Sequence, residues 1–166
     1  GRLYLKAGEI VDKEQPDVAV LLGDTNTGLV SILLERMGVQ VFHIEAGNRC
    51  FNKNTPEELN QRVIDKASSY NLVYSEYARR NLLNEGFLNE KIFKIGSPMR
   101  EVLLNYAEKI EQSSVLNKNR LLPNKYIIAS LHRQENIGDN LTRAQLLNAL
   151  NFLAEEHQLP IIISCH

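Results

Sequence analysis

Short apolar runs alternate with amphipathic stretches along the whole chain, and the alternation predicts its elements. Val18-Ala19-Val20-Leu21-Leu22 is apolar at every position, the pattern of a parallel strand covered on both faces. Val41-Phe42-His43-Ile44, Asn71-Leu72-Val73-Tyr74, Ile92-Phe93-Lys94-Ile95, Tyr126-Ile127-Ile128-Ala129-Ser130 and the run from Pro160 to Ser164 read as further strands. Between them, three- and four-residue apolar spacing predicts helices over 3–14, 27–37, 55–68, 76–85, 98–112 and 141–156. Pro16 ends the first, and Gly38 and Gly86 close the second and fourth as C-caps. Thr55-Pro56-Glu57-Glu58 predicts a sharp helix start, with Thr55 as N-cap, Pro56 in the first position and Glu58 as capping-box partner. Glu58 also lies i,i+4 from Arg62, and Leu59, Val63 and Ala67 form the predicted inner stripe.

Strands and helices alternating at this spacing imply βαβ units, hence an α/β fold with parallel sheets. The polar stretch from Ser113 to Arg120 interrupts the rhythm, which then restarts. Residues 1–112 therefore read as the later part of one Rossmann-like domain, 113–124 as a linker and 125–166 as the start of a second. Gly1 to Lys6 reads as the interior of a helix, and the chain stops as a strand delivers its polar residues at Ser164-Cys165-His166. Both ends predict a piece of a longer protein.

Composition narrows the function classes. The 166 residues are 43% hydrophobic and 23% charged, ordinary for a soluble globular protein. A formal net charge of -1 without a basic block argues against nucleic acid and membrane surfaces as partners. No apolar run approaches the ~18 residues needed to span a bilayer, and no signal-peptide plan is present. Cys50 and Cys165 lack CxxC spacing and fit ordinary semi-buried thiols in a reducing cytosol.

Four ionisable groups have placements that suggest proton transfer. Asp24, in Gly23-Asp24-Thr25-Asn26-Thr27-Gly28, follows a predicted strand, where it could meet a ligand or cap the next helix. No lysine stands where a P-loop needs one. Glu45 directly follows Val-Phe-His-Ile and precedes Ala-Gly, a poor place for a cap. Burial there would raise its carboxyl pKa toward the range of a general acid or base, while pairing with Arg49 is the structural alternative. Glu57 shares the first helical turn with Glu58 but has no capping duty. His132-Arg133 at a strand end suits a phosphate or a departing oxyanion. His43 lies within a strand and reads as a packing residue. No pair of ligands has metal-site spacing, so no metal is expected.

Gly23-Asp24-Thr25, His43-Ile44-Glu45-Ala46-Gly47-Asn48-Arg49, Pro56-Glu57-Glu58-Leu59-Asn60, Gly96-Ser97-Pro98 and His132-Arg133-Gln134-Glu135-Asn136 occur in an order and spacing that resembles the non-hydrolysing UDP-N-acetylglucosamine 2-epimerases. The resemblance covers essentially the whole chain. Glu-Ala-Gly-Asn-Arg-Cys-Phe and Gly-Ser-Pro-Met lean toward the branch forming UDP-N-acetyl-L-fucosamine from a 2-acetamido-2,6-dideoxy-L-talose sugar, where the parent enzymes read Glu-Ala-Gly-Leu-Arg and Gly-Asn. The resemblance implies a GT-B-like architecture of two Rossmann-like parallel-sheet domains with the active site in their cleft, of which this chain covers the middle portion. It places Asp24, Glu45, Glu57 and His132 in catalysis, and Arg49, Asn60 and Arg133 in substrate binding. It also implies a UDP-sugar substrate, no cofactor, a homodimer and a cytoplasmic location. Gln61 departs from the pattern, standing where the family has Arg after the Asn, with Arg62 next. The reaction implied is elimination of UDP across C1–C2 to a glycal, then re-addition with the opposite C2 configuration. A GT-B glycosyltransferase and a non-catalytic UDP-sugar-binding relative are the competing readings.

Overall fold

The apolar runs assemble into two parallel sheets, in a computed structural model that describes residues 1–131 and 138–164. The chain divides into two compact units, Gly1–Val102 and Leu103–His166. In the first, helix α1 (Arg2–Glu14) precedes strand β1 (Val18–Leu22), a 3-10 turn (Asn26–Val30) and α2 (Ser31–Arg36). Strand β2 (Gln40–Ile44), α3 (Pro56–Ala67), β3 (Tyr70–Val73), α4 (Glu76–Asn84) and β4 (Ile92–Lys94) follow. The sheet order is β1-β2-β3-β4, every pair parallel.

Register decides what each face carries. Ala19 pairs with Val41, Leu21 with His43, His43 with Asn71 and Asn71 with Ile92, so these side chains share one face. That face is covered by helices. Val11, Val30, Leu34, Val39 and Val41 pack as one cluster, and Ala46, Val73, Ala78, Leu82 and Ile92 as another. The opposite face carries Val18, Val20 and Leu22, which are 49%, 61% and 62% exposed. The all-apolar β1 was expected to be covered on both faces, but among the described residues α1–α4 cover one. On the open face Phe42 stacks on Tyr70 at 4.9 Å and Tyr70 meets Phe93 at 6.0 Å, an aromatic row across β2, β3 and β4.

Helix α3 also departs from its predicted packing. Leu59 is 63% exposed, while Glu58, Asn60, Gln61, Ile64 and Asp65 are buried. The inner face is polar because it closes over an ion-pair network, so the apolar stripe does not mark it.

In the second unit, β5 (Ile127–Ser130) and β6 (Ile161–Ser164) pair in parallel, joined through α8 (Asn140–His157). Asp139 caps α8 by accepting the Thr142 N–H at 2.7 Å. The single helix predicted over 98–112 is two pieces, α5 (Met99–Asn105) and α6 (Ala107–Glu111). Tyr106 adopts φ -103°, ψ 4°, a bridge conformation that breaks the i→i−4 ladder. A single turn, α7 (Val115–Lys118), follows. No helix among the described residues is long and apolar enough to cross a membrane.

One glycine fixes how the turn after β2 meets α4. Gly47 has φ +77°, its carbonyl accepts the Asn81 side-chain amide at 3.0 Å, and a Cβ there would lie 2.4 Å from the Ala78 carbonyl oxygen. Gly86, with φ +80°, faces open space. Gly86→Ala should therefore cost about 1–2 kcal/mol in conformation alone, and Gly47→Ala at least about twice that, since overpacking adds to the strain. Urea unfolding midpoints of the two variants measure the difference; equal costs would remove the close approach as its cause.

Candidate active site

Leu22 pairs with Ile44, so β1 and β2 end side by side and deliver Gly23-Asp24 and Glu45 at the same carboxyl edge of the sheet. The Gly23 N–H donates to the Ile44 carbonyl at 3.0 Å, which ties the two turns together. Glu45 has φ 72°, in the left-handed region that costs a side-chain-bearing residue about 1–2 kcal/mol. Two contacts hold it there. Its N–H donates to the Leu72 carbonyl at 3.0 Å, and its carbonyl accepts the Gln61 side-chain amide at 2.7 Å. Gln61, the departure from the family pattern, is thus a buried brace for Glu45.

The Glu45 carboxylate is half-buried and accepts a long hydrogen bond, 3.3 Å, from the Asn48 amide. Burial pushes its pKa above the ordinary glutamate value of 4.5, and the negative charge of Asp24 pushes it further, while His43 acts in the opposite sense. Tyr74, at the end of neighbouring β3, is raised by burial and then by the Glu45 charge. The phenol and carboxylate therefore share one electrostatic environment, and no sequence pattern pointed to Tyr74.

Asp24 does not cap the following turn. Thr25 occupies that position with no side-chain cap, and the Asp24 side chain makes no hydrogen bond to the described residues. Its backbone is held instead: Asn60 donates to the Asp24 carbonyl at 2.9 Å and to Asn26 Oδ1 at 3.0 Å. Asn60 thus braces Asp24 from α3. Glu57 is exposed on the first turn of α3, with no ion pair or hydrogen bond among the described residues. The predicted capping box is absent. The Glu58 carboxylate accepts the Cys50 N–H at 2.7 Å, the Phe51 N–H at 3.3 Å and Arg62 Nε at 2.8 Å, so it closes the 48–55 loop rather than capping Thr55. Burial raises the Glu58 pKa, but these donors outweigh it and hold the carboxyl below its ordinary value.

Beneath the turns runs a network that the motifs did not predict. Arg62 joins Glu58 and Glu85, each at 2.7 Å. Arg49 donates to Glu85 through Nη2 at 2.6 Å and Nε at 2.8 Å, and to Asp65 through Nη1 at 2.7 Å. Asp65 in turn lies 2.7 Å from His43 Nδ1 and accepts the Gly47 N–H at 3.2 and 3.3 Å. The Arg49 side chain is 0% exposed and pairs with Asp65 and Glu85 rather than Glu45, so it supports the loop from below. The Arg49 hydrogen bond holds Glu85 below the usual carboxylate range. His43 is buried as expected, but as a hydrogen-bonded residue rather than simple packing. By the apolar stripe of Leu59, Val63 and Ala67, Asp65 falls on the outer side of α3, so hydropathy carried no signal for it. His132 and Arg133 lie outside the described residues, as does Cys165; Cys50 is exposed. Among the described residues no group of three or more His, Cys, Asp and Glu is placed to hold a metal ion.

Comparison with known proteins places this geometry in context. The family model for UDP-N-acetylglucosamine 2-epimerase matches residues 1–166. The structure of UDP-N-acetylglucosamine 2-epimerase from Rickettsia bellii matches with a TM-score of 0.91 at 41% identity, over 99% of this chain and 43% of that one. The UDP-GlcNAc 2-epimerase of Methanocaldococcus jannaschii, solved with UDP-GlcNAc and UDP, matches at 0.91 and 32% identity, over 100% of this chain and 46% of that one. A curated UDP-2,3-diacetamido-2,3-dideoxy-D-glucuronate 2-epimerase from Pseudomonas aeruginosa is 31% identical over 169 residues, 100% of this chain and 46% of the relative. The chain spans about half the length of the curated relatives it matches, and its fold is the corresponding part of their GT-B-like architecture.

The opposed shifts give opposed pH dependences. Glu58 and Glu85 have folded pKa values below 4.5, so their stabilisation is complete above that pH and is lost as pH falls through the folded values. Glu45, raised, destabilises the fold above its folded pKa and not below 4.5. Glu45→Gln should raise Tm at pH 7 by about 1–2 °C, and the gain should vanish in scans at pH 4. A gain that persists at pH 4 would rule out charge as its origin.

Proposed function

The chain belongs to the UDP-N-acetylglucosamine 2-epimerase family, and from that premise we propose that the whole protein is an isomerase that inverts C2 of a UDP-linked N-acetyl-hexosamine. The observation that carries this reading is Glu45: a half-buried carboxyl with raised proton affinity, beside Asp24, in a backbone conformation held at its own cost. Such a group holds a proton more strongly than a free carboxylate, which suits general acid–base work.

In this reading a base removes the C2 proton, its electron pair forms the C1–C2 double bond, and the C1–O bond breaks to release UDP. Re-addition reverses the order, with UDP oxygen bonding C1 and a proton reaching C2 from the other face. The sequence is redox-neutral, so no redox cofactor is proposed. Inversion needs proton carriers on both faces of the sugar. Glu45 supplies one, Asp24 keeps it poised by repulsion, and Glu57 offers a further carboxylate at the positive end of α3. His132 and Arg133 are proposed, from the resemblance, to meet the departing diphosphate. Asn60 and Arg49 serve the site by holding Asp24 and the Glu45 loop.

The substrate is either the UDP-GlcNAc/UDP-ManNAc pair or the L-talose/L-fucosamine pair, for cell-surface polysaccharide precursors made in the cytoplasm. Asn48 and Ser97-Pro98-Met99 support the second pair, and Asn48 donates directly to the Glu45 carboxylate.

Incubating the full-length protein in D2O with UDP-GlcNAc, and separately with UDP-2-acetamido-2,6-dideoxy-L-talose, tests the proposal by NMR. Deuterium at C2 with a second epimer is expected from one of them, and that sugar names the branch. Binding without exchange for both would favour a transferase or a non-catalytic binder. Asp24→Asn and Glu57→Gln should each abolish exchange, with circular dichroism unchanged; retained exchange would remove that residue from the chemistry.

A further inference from the structure

His43 occupies the point where both turns and the ion-pair network converge. Its side chain is 0% exposed, as is that of Asp65. Nδ1 lies 2.7 Å from Asp65 Oδ1, and Nε2 lies 2.9 Å from the carbonyl oxygen of Gly23, the residue before Asp24. Both partners are acceptors. A backbone carbonyl has no proton, and the Asp65 carboxylate already receives the Arg49 guanidinium and the Gly47 N–H. A neutral imidazole carries a single N–H and would set the lone pair of its other nitrogen against an oxygen at hydrogen-bonding distance, with the ring wholly buried.

We infer that His43 is held as a buried imidazolium that donates from both ring nitrogens, and that it is a positioning residue locking the Asp24 turn to the Glu45 loop. The charges then alternate along the contacts: His43, Asp65, Arg49, Glu85, Arg62, Glu58. Three cations face three anions. A neutral ring would leave the buried end of the chain at Asp65 with one charge too few to balance it. The groups on the ring are Asp65 from α3 and the Gly23 carbonyl from the turn after β1, with Arg49 across Asp65; Glu45, in the turn after β2, feels the charge of the ring and of Asp24. The fixed positive ring also offsets the repulsion between Asp24 and Glu45, so Glu45 can give up its proton as well as hold it. The charge assignment stands on geometry; its consequence for turnover rests on the epimerase reading.

Full-length protein labelled with 15N-histidine tests it. At pH 7 the His43 ring, assigned by its loss in His43→Gln, should show both nitrogens protonated in long-range 15N–1H spectra. A neutral-tautomer signature would overturn the assignment, and this readout needs no turnover for its decision. His43→Gln, which can donate to Asp65 or to Gly23 but not to both, should lower kcat for C2 exchange about 100-fold with KM within about twofold. An H43Q variant with undiminished kcat would overturn the positioning role. If the unsubstituted protein exchanges no C2 proton, the epimerase reading fails, while the ring spectrum still decides the state of His43.

Discussion

The Asp65 carboxylate is the contact on which the site depends. It is wholly buried, and three separate segments are gathered on its two oxygens: His43 from β2, the Gly47 N–H from the turn beyond it, and Arg49 from the loop that follows. A buried charge is tolerated only when every lone pair finds a donor. Each of those donors fixes a different stretch of backbone, so meeting the electrostatic demand of one side chain shapes the whole active edge. Arg49 and Glu85 extend the constraint to the end of α4, and Arg62 with Glu58 returns it to α3 and the 50–51 amides.

Above that base, two forces act on Glu45. The backbone is held in a left-handed conformation by Leu72 and Gln61, and the carboxyl is pulled from its ordinary behaviour by burial and by Asp24. Neither feature favours the fold. Both are held because the surroundings over-determine them.

The sheet was legible in the sequence because a short apolar run flanked by glycine or polar residues has few other uses. The predicted strand Val18–Leu22 is the observed one, and the others shift by a residue or so at their ends. The carboxylates at strand ends were legible for the same reason: position after a strand is topology, and topology follows from pattern. What failed was inference from hydropathy where the interior is charged. The inner side of α3 bears Glu58, Gln61 and Asp65, so the apolar stripe at Leu59 pointed outward. Glu58 looked like a cap because local spacing cannot see the Cys50 and Phe51 amides delivered by a loop. Glu85, read as the end of an ordinary helix, pairs with arginines 36 and 23 residues away in sequence, and its partners have no local signature. The left-handed backbone of Glu45 is equally hidden, since glycine or asparagine is what marks that conformation in a sequence.

The ion-pair chain also constrains how the first unit can fold. Its members come from residues 43 to 85, on a strand, a loop and two helices. Burying Asp65 or Arg49 without the other would leave an uncompensated charge in the interior. Intermediates that bury one of these two groups without the other are therefore penalised. The network thus couples the order of the loop after β2 to that of α3, because Asp65 and Arg49 are buried together.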